Sequence, residues 1–379
     1  MTETVLVTGG AGFIGSHLVD SLVEQGHRVR VFDNLEPQVH GALRESGSWP
    51  EYSNQGAEYV LGDVRDRDAL EKAMSGIDVV FHEAAMVGVG QSMYQIERYI
   101  DVNARGTAVL LDIMANESSI RDRIRKLVVA SSMSIYGEGK YECTEHGEVY
   151  PKLRSEEQLA RRDWEMHCPQ CDRHVKPLPT DEEKPLFPTS TYAISKEDQE
   201  EMCLVVGRAY NIPVVALRYF NTYGPRQSLS NPYTGVAAIF ASRLLNNNSP
   251  VIFEDGQQSR DFVHVSDIVQ ANLLAMTRPQ MDFGTFNVGT GDQIAIVDVA
   301  LGLSEHLGKS TQVDIVRKYR AGDIRHCFAE IDDLSRHGYK RRVSFNEGLS
   351  QLTEWVRITI AVDNFNFASD ELSGRGLTG

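Results

Sequence analysis

A chain of 379 residues with 53 acidic against 38 basic side chains carries a formal charge of −15. That field repels nucleic acid and anionic membrane surfaces, so a general polyanion-binding role is excluded, although a few local arginines can still hold an anionic small substrate. With 41% hydrophobic residues and no uninterrupted apolar stretch of about 18 residues, the composition describes a soluble, globular protein of one or two domains.

Met1 runs directly into a strand-like segment with no basic leader, so the expected location is cytoplasmic. Short β-branched runs at 4–8, 29–33, 58–61, 78–82 and 126–130 alternate with amphipathic stretches at 13–25, 67–74 and 96–115. That alternation predicts a doubly wound parallel α/β sheet. From about 138 to 190, charge and proline replace periodicity, and three of the five cysteines fall here. A helix at 191–210 and a strand at 213–218 come next. Beyond them, short strands at 251–254, 285–289 and 313–316 mix with helices at 266–276, 295–307 and 346–358. The predicted organisation is a first domain over 1–217 carrying the insertion, and a smaller α/β lobe over 218–360 interleaved with it around 262–290. The small, polar residues at the end predict a disordered tail over 361–379.

The first strand runs into Gly9-Gly10-Ala11-Gly12-Phe13-Ile14-Gly15 and a helix begins at once. Glycines at 9, 12 and 15 suit a tight turn, close approach of backbone to a pyrophosphate, and close packing of helix on strand. The free N–H groups and positive end of that helix then bind phosphate. Three glycines alone are a weak signal; their place between strand and helix at the start of a βαβ unit strengthens it. Asp33 ends the second strand, 24 residues after Gly9. A carboxylate there binds both ribose hydroxyls and repels a 2′-phosphate, which points to NAD rather than NADP. Asp63, after the third strand, is the expected neighbour of the adenine.

Further motifs appear in order: His82-Glu83-Ala84-Ala85, Val102-Asn103 with Gly106-Thr107, and SSMSIYG at 131–137. Tyr192-Ala-Ile-Ser-Lys196, Arg218-Tyr219-Phe-Asn221 through Arg226, and Arg260-Asp261-Phe262-Val263 complete the set. Together they resemble the extended short-chain dehydrogenase/reductase family, with its Rossmann domain, and in particular its nucleotide-sugar epimerases and dehydratases. The resemblance implies further cofactor contacts from Asn34, Val64, Ala84, Ala85, Asn103 and Tyr219.

Tyr192 and Lys196, four residues apart at a helix start, share one face. A free tyrosine, with a pKa of about 10, is a poor base. The Lys196 ammonium and a positive nicotinamide both favour the phenolate, so Tyr192 can take the proton of a sugar hydroxyl as hydride leaves its carbon. Ser132 corresponds to the family's Ser/Thr that hydrogen-bonds the reacting oxygen.

Members of the family that eliminate water resemble one another in an Asp-Glu pair directly after that Ser/Thr. Those that decarboxylate usually place a glutamate at the second position. Here the two positions are Met133 and Ser134, so both reactions are disfavoured. No Cys/His pair matches the members that epimerise at two carbons. The expected reaction is C4 epimerisation with tightly held NAD that is not consumed. A 4,6-dehydratase, a plain alcohol dehydrogenase and a nucleotide-sensing protein without catalysis are the rivals.

The resemblance implies substrate contacts from Ser132, Met133, Ser134, Tyr192, Asn221 and Arg260, and from the Asp323–Arg325 pair. Arg226 joins them, with a surface ion pair as its competing role. Residues 227–236 and 322–328 look like the branch that includes dTDP-L-rhamnose 4-epimerases. A homodimer through the helices near Asn103 and Tyr192 is expected by the same analogy. Ser132 and Tyr192 are 60 residues apart, further than this catalytic pair requires. The extra segment holds Cys143-x-x-His146 and Cys168-x-x-Cys171, the spacing of a structural zinc site, with His167 and His174 as competing fourth ligands. The alternative is a flexible, reduced loop.

Overall fold

The computed structural model describes residues 2–310 and 312–379. Seven parallel strands form the central sheet: β1 (Thr4–Thr8), β2 (Arg28–Asp33), β3 (Glu58–Leu61), β4 (Val79–His82), β5 (Lys126–Ser132), β9 (Val214–Tyr219) and β10 (Thr285–Val288). Three further strands, β6 to β8, lie in the insertion. The order across the sheet is β10-β9-β5-β4-β1-β2-β3. The chain therefore winds outward in both directions from β1 and β4, and the crevice between their C-terminal ends is the topological switch point.

Both faces of the sheet are apolar, as parallel strands covered on two sides require. On one face Val5, Val7, Val31, Phe81, Val128 and Val215 meet Leu18 and Leu22 of α1 (Phe13–Glu24). Ile268 and Ala275 of α6 (Val265–Thr277) join them. On the other face Leu6, Phe32, Val80, Leu127, Val129 and Ala216 meet residues of α2 (Arg67–Met74), α3 (Gly106–Asn116) and α4 (Thr191–Tyr210). A separate core, including Phe240, Phe262, Leu303 and Leu352, fills the lobe between α5 (Val236–Leu245), α7 (Ile296–His306) and α8 (Phe345–Ile358).

The helix expected at 96–115 is broken. A four-residue helix, Ile96–Tyr99, passes into a π-helical stretch, Ile100–Arg105, before α3. The wide turn coincides with Asn103, whose amide brackets the Met86 backbone (Oδ1 from N at 2.7 Å, Nδ2 to O at 3.0 Å) and also donates to Ser195 Oγ at 2.9 Å. Such a bulge is how a helix re-aims one side chain at a functional site.

The expectation of a disordered tail over 361–379 is corrected. Phe365–Gly374 forms helix α9, with Ala368 and Leu372 buried, and Gly379 exchanges backbone bonds with Tyr319 at 3.0 Å. Its apolar positions 365, 368 and 372 do have helical spacing; the surrounding small polar residues masked it. Among the described residues no helix is long and apolar enough to cross a membrane.

The segment at about 138–190 is also ordered. Its strands β6 (Lys140–Cys143), β7 (Gly147–Val149) and β8 (Lys176–Leu178) make a small antiparallel sheet in the order β7-β6-β8. Its neck is closed where Phe187 N donates to Ile135 O at 3.1 Å. Gly137 is required there, because a Cβ would lie 2.2 Å from Phe187 O at a backbone φ of +65°.

A buried ion pair fastens α4 to the sheet: Arg218 on β9 donates to Glu200 at 2.6 Å, and the two side chains are 6% and 1% exposed. Removing one partner of such a pair costs about 3–5 kcal/mol. Glu200→Ala is expected to lower the unfolding free energy by that amount, read as a lower denaturant midpoint at unchanged m-value; a loss below about 1 kcal/mol would contradict the role assigned to the pair.

Candidate active site

Helix α1 begins at Phe13 with Gly12 as its N-cap, no side-chain cap and no acid in its first turn. Other helices do cap themselves, α2 with Asp66 and α4 with Ser190. The positive end of α1 is therefore left for an anion. The turn is as tight as glycine allows. A Cβ on Gly15 would lie 2.3 Å from Gly9 O, and one on Gly9, at φ +71°, would lie 2.8 Å from Ala84 N. Ala84 thus borders the turn just beyond the end of β4.

Asp33 is 8% exposed and its carboxylate is aimed by two backbone donors, Ala11 N at 3.0 Å and Leu35 N at 2.8 Å. Burial raises its pKa. Asn34 Nδ2 donates to Asp63 at 3.0 Å and Arg65 donates to the same carboxylate at 2.7 Å. Burial raises the Asp63 pKa, but these donors outweigh it and hold the group well below the usual carboxylate range. An uncapped helix, a glycine cradle and a fixed acid at the end of β2 fit an adenine dinucleotide. Val64 departs from expectation, since its side chain is in the core against Gly106, and any cofactor contact falls to its backbone.

Ser132 ends β5, in register with Tyr219 on β9. Tyr192 and Lys196 lie in the first turns of α4 over that strand. Lys196 Nζ donates to Ala130 O at 2.7 Å, so the ammonium is anchored to the sheet rather than bonded to the phenol. Burial lowers its pKa to about 8, with Glu83 opposing the shift. Burial raises the Tyr192 pKa and the Ser132 hydroxyl pulls it part of the way back. The protein alone therefore holds Tyr192 neutral, and its ionisation depends on added positive charge. Tyr99 packs edge-on against Tyr192, with ring centroids 6.3 Å apart.

Glu83 is a site residue that sequence reading missed, although it lies inside the His82–Ala85 motif. Tyr219 OH donates to it at 2.8 Å, and burial pushes its pKa to about 7. Asn221 has a buried side-chain oxygen without a partner, as a ligand contact requires. Arg260 is held by three carbonyls, Ile324 O at 2.7 Å, Ser259 O at 2.7 Å and Arg325 O at 3.0 Å.

Three expected substrate contacts are corrected. Arg325 is fully buried and bound to Glu165, Glu254 and Asp255, so its guanidinium is spent inside the protein. Met133 packs in the main core. Arg226 pairs with Asp20 at 2.7 Å and stacks over Tyr52 at 5.1 Å, the surface-pair role. It lines a cavity of about 740 Å³ with Gln91, Tyr94 and Tyr233, but Ser132 and Tyr192 are not in that lining. Ser134 donates to Ser132 Oγ at 2.9 Å. Asp323 accepts from Arg320 at 2.8 Å. Arg320, three residues before Asp323, is the partly exposed arginine there, whereas Arg325 is buried.

Lys196 loses its proton as pH rises through about 8, and with it the charge that favours the Tyr192 phenolate. Turnover should fall on that side. The Glu83 carboxylate, ionised above about pH 7, raises the Lys196 pKa. Glu83→Gln should therefore move the alkaline limb of the rate profile to lower pH; an unmoved limb would contradict the coupling.

The sequence matches the NAD dependent epimerase/dehydratase family over residues 5–156 and 172–289. It is 33% identical to a dTDP-L-rhamnose 4-epimerase of Burkholderia thailandensis over 93% of this chain and 95% of that protein. Among solved structures it is similar to the UDP-glucose 4-epimerase of Thermotoga maritima with UDP-glucose, at TM-score 0.75 and 31% identity over 93% of this chain and 98% of the other. It is also similar to the Thermus thermophilus UDP-glucose 4-epimerase complexed with NAD, at TM-score 0.73 and 30% identity over 94% and 100%. With the glycine turn, Asp33 and the Ser132–Tyr192–Lys196 trio in place, the chain belongs to the NAD dependent epimerase/dehydratase family of enzymes.

Proposed function

We propose that the protein is a cytoplasmic NAD-dependent nucleotide-sugar 4-epimerase, acting on a dTDP-6-deoxyhexose such as dTDP-L-rhamnose. The observation that carries the reaction type is the character of the two residues after Ser132. Met133 packs into the core and Ser134 turns its hydroxyl back to Ser132, so neither position presents a carboxyl group. Eliminating water needs a second acid and base beside the tyrosine. Removing and returning hydride at one carbon needs only one group that accepts and returns a proton.

Tyr192 takes the proton of the C4 hydroxyl, and Ser132 hydrogen-bonds the same oxygen as it becomes a carbonyl. Bound NAD supplies the hydride acceptor and, afterwards, the hydride donor. Asn221 and Arg260 hold the nucleotide diphosphate while the 4-keto sugar turns in the pocket. Tyr192 then returns its proton to the C4 oxygen as hydride would return to the opposite face of C4. An arginine on a diphosphate is the strong form of such a clamp. Asp33 favours NAD over its 2′-phosphorylated form. The dTDP-sugar preference is supported by the likeness of residues 227–236 and 322–328 to the rhamnose-epimerase branch and by the Burkholderia relative.

A homodimer is part of the proposal. Helix α4 carries exposed Ile194 and Val205 on its outer side, and Ile96 is exposed at the start of the neighbouring broken helix. A two-fold contact between these helices would cover them.

Incubation with UDP-, dTDP- and GDP-sugars without added cofactor, followed by proton NMR, is expected to show a C4 epimer. Net accumulation of reduced NAD, or a 4-keto-6-deoxy product, would overturn the reading. Tyr192→Phe should lower turnover by at least about 10²-fold while NAD remains bound. A near-normal rate would remove Tyr192 from its role.

A further inference from the structure

Cys143, His146, Cys168 and Cys171 bring four ligand atoms within 4.8 Å of one another, and all three thiols are free. Cys143 Sγ lies 3.7 Å from Cys171 Sγ, and His146 Nδ1 lies 3.6 Å from both Cys143 Sγ and Cys168 Sγ. A tetrahedral zinc with Zn–S of about 2.3 Å and Zn–N of about 2.0–2.1 Å sets its ligands about 3.8 Å (S···S) and about 3.6 Å (S···N) apart. The side chains thus stand at the separations a metal imposes. A disulfide would need its sulfurs at about 2.05 Å. Glu145 N donates to Cys143 Sγ and Gln170 N to Cys168 Sγ, each at 3.5 Å. Two backbone donors, each two residues after its cysteine, stabilise thiolate ligands and orient them.

The competing histidines point elsewhere. His167 engages Asp163 at 3.1 Å and Asp172 at 2.9 Å, and His174 faces Asp163. The core of the insertion is Tyr141, Val149, Met166 and Val175 around Cys143 and Cys168, with Cys171 against it. So few apolar side chains cannot order a segment of this length without a staple.

We propose that these four residues bind one structural zinc ion, and that the metal braces the insertion against the substrate lobe and thereby positions Arg260. The connection is continuous. Met166 packs in the cysteine core, and its neighbour Glu165 accepts from Arg325 Nε at 3.1 Å. Arg154 of the insertion donates to Glu254 at 2.8 Å, which also binds Arg325 at 3.0 Å. Glu138 accepts the backbone N–H of Arg325 and of His326 at 2.8 Å. The carbonyls of Ile324 and Arg325 then hold the Arg260 guanidinium. Residues 157–171, which carry Cys168 and Cys171, fall outside the matched stretches of the family. Four protein ligands leave no open coordination position, so the ion has no catalytic role.

The positioning half rests on Arg260 as a diphosphate contact; the metal half does not, and its readouts need no substrate. Metal analysis of protein purified without chelator should find about one zinc per chain, and the Cys168→Ser, Cys171→Ser variant should lack it. Cobalt(II) added after chelation should give a thiolate-to-cobalt charge-transfer band, and chelation should expose 150–175 to limited proteolysis. Less than about a tenth of an equivalent of zinc with no such band would overturn the site. Glu165→Gln, with zinc retained, should raise KM for the nucleotide sugar about tenfold and more than it lowers kcat. An unchanged KM would overturn the brace while leaving the metal.

Discussion

The Lys196 ammonium donates to the Ala130 carbonyl at 2.7 Å, and the geometry of the reacting centre depends on that bond. It fastens the first turns of α4 to β5, and so sets Tyr192 beside Ser132. Burying an ammonium is costly. Burial is the larger effect and the nearby Glu83 offsets it only in part, so the Lys196 pKa is lowered to about 8. The same burial raises the Tyr192 phenol. A tyrosine held neutral by burial would need a further positive charge beside it to act as a base, and in the proposed reaction a nicotinamide ring would supply that charge.

The insertion is spliced into the chain between the two halves of this pair, and it does not disturb them because its ends meet. Gly137 packs against the Phe187 carbonyl, Phe187 N returns to Ile135 O, and Lys184 donates to Tyr136 O at 2.5 Å. With the neck closed, the segment beyond it can vary without moving Ser132 or Tyr192. The far end reaches the substrate lobe through Arg154 and Glu165. There Arg325 works as a buried link between acids, and Arg260 takes its orientation from the backbone that Arg325 holds in place.

Much of the fold could be read from the chain because buried parallel strands and their helices have strong periodicity. The strands at 4–8 and 58–61 and the helix at 191–210 fall at their expected residues. The glycine turn, Asp33, Ser132, Tyr192 and Lys196 were legible because each needs one residue type at one spacing. The features that stayed hidden depend on depth. Nothing in the spacing of Asp323 and Arg325 says which is buried, and only the acids brought from residues 165, 254 and 255 show that Arg325 faces inward. Met133 likewise sits in the expected stretch but points into the core. Two short knuckles about 25 residues apart suggested four ligands, yet the choice of His146 over His167 and His174 required the fold of the small sheet. The π-helical turn at Asn103 has no local signature, because it is imposed by the Met86 backbone and Ser195.

The central claim is that one hydride leaves C4 of the sugar and returns to the same carbon within a single enzyme-bound complex. A nucleotide sugar deuterated at C4, turned over without added cofactor, tests it most directly by mass spectrometry and deuterium NMR. Full retention of deuterium at C4 of the inverted product is the expected result. Loss of the label to solvent, or its appearance on another carbon of the sugar, would contradict it.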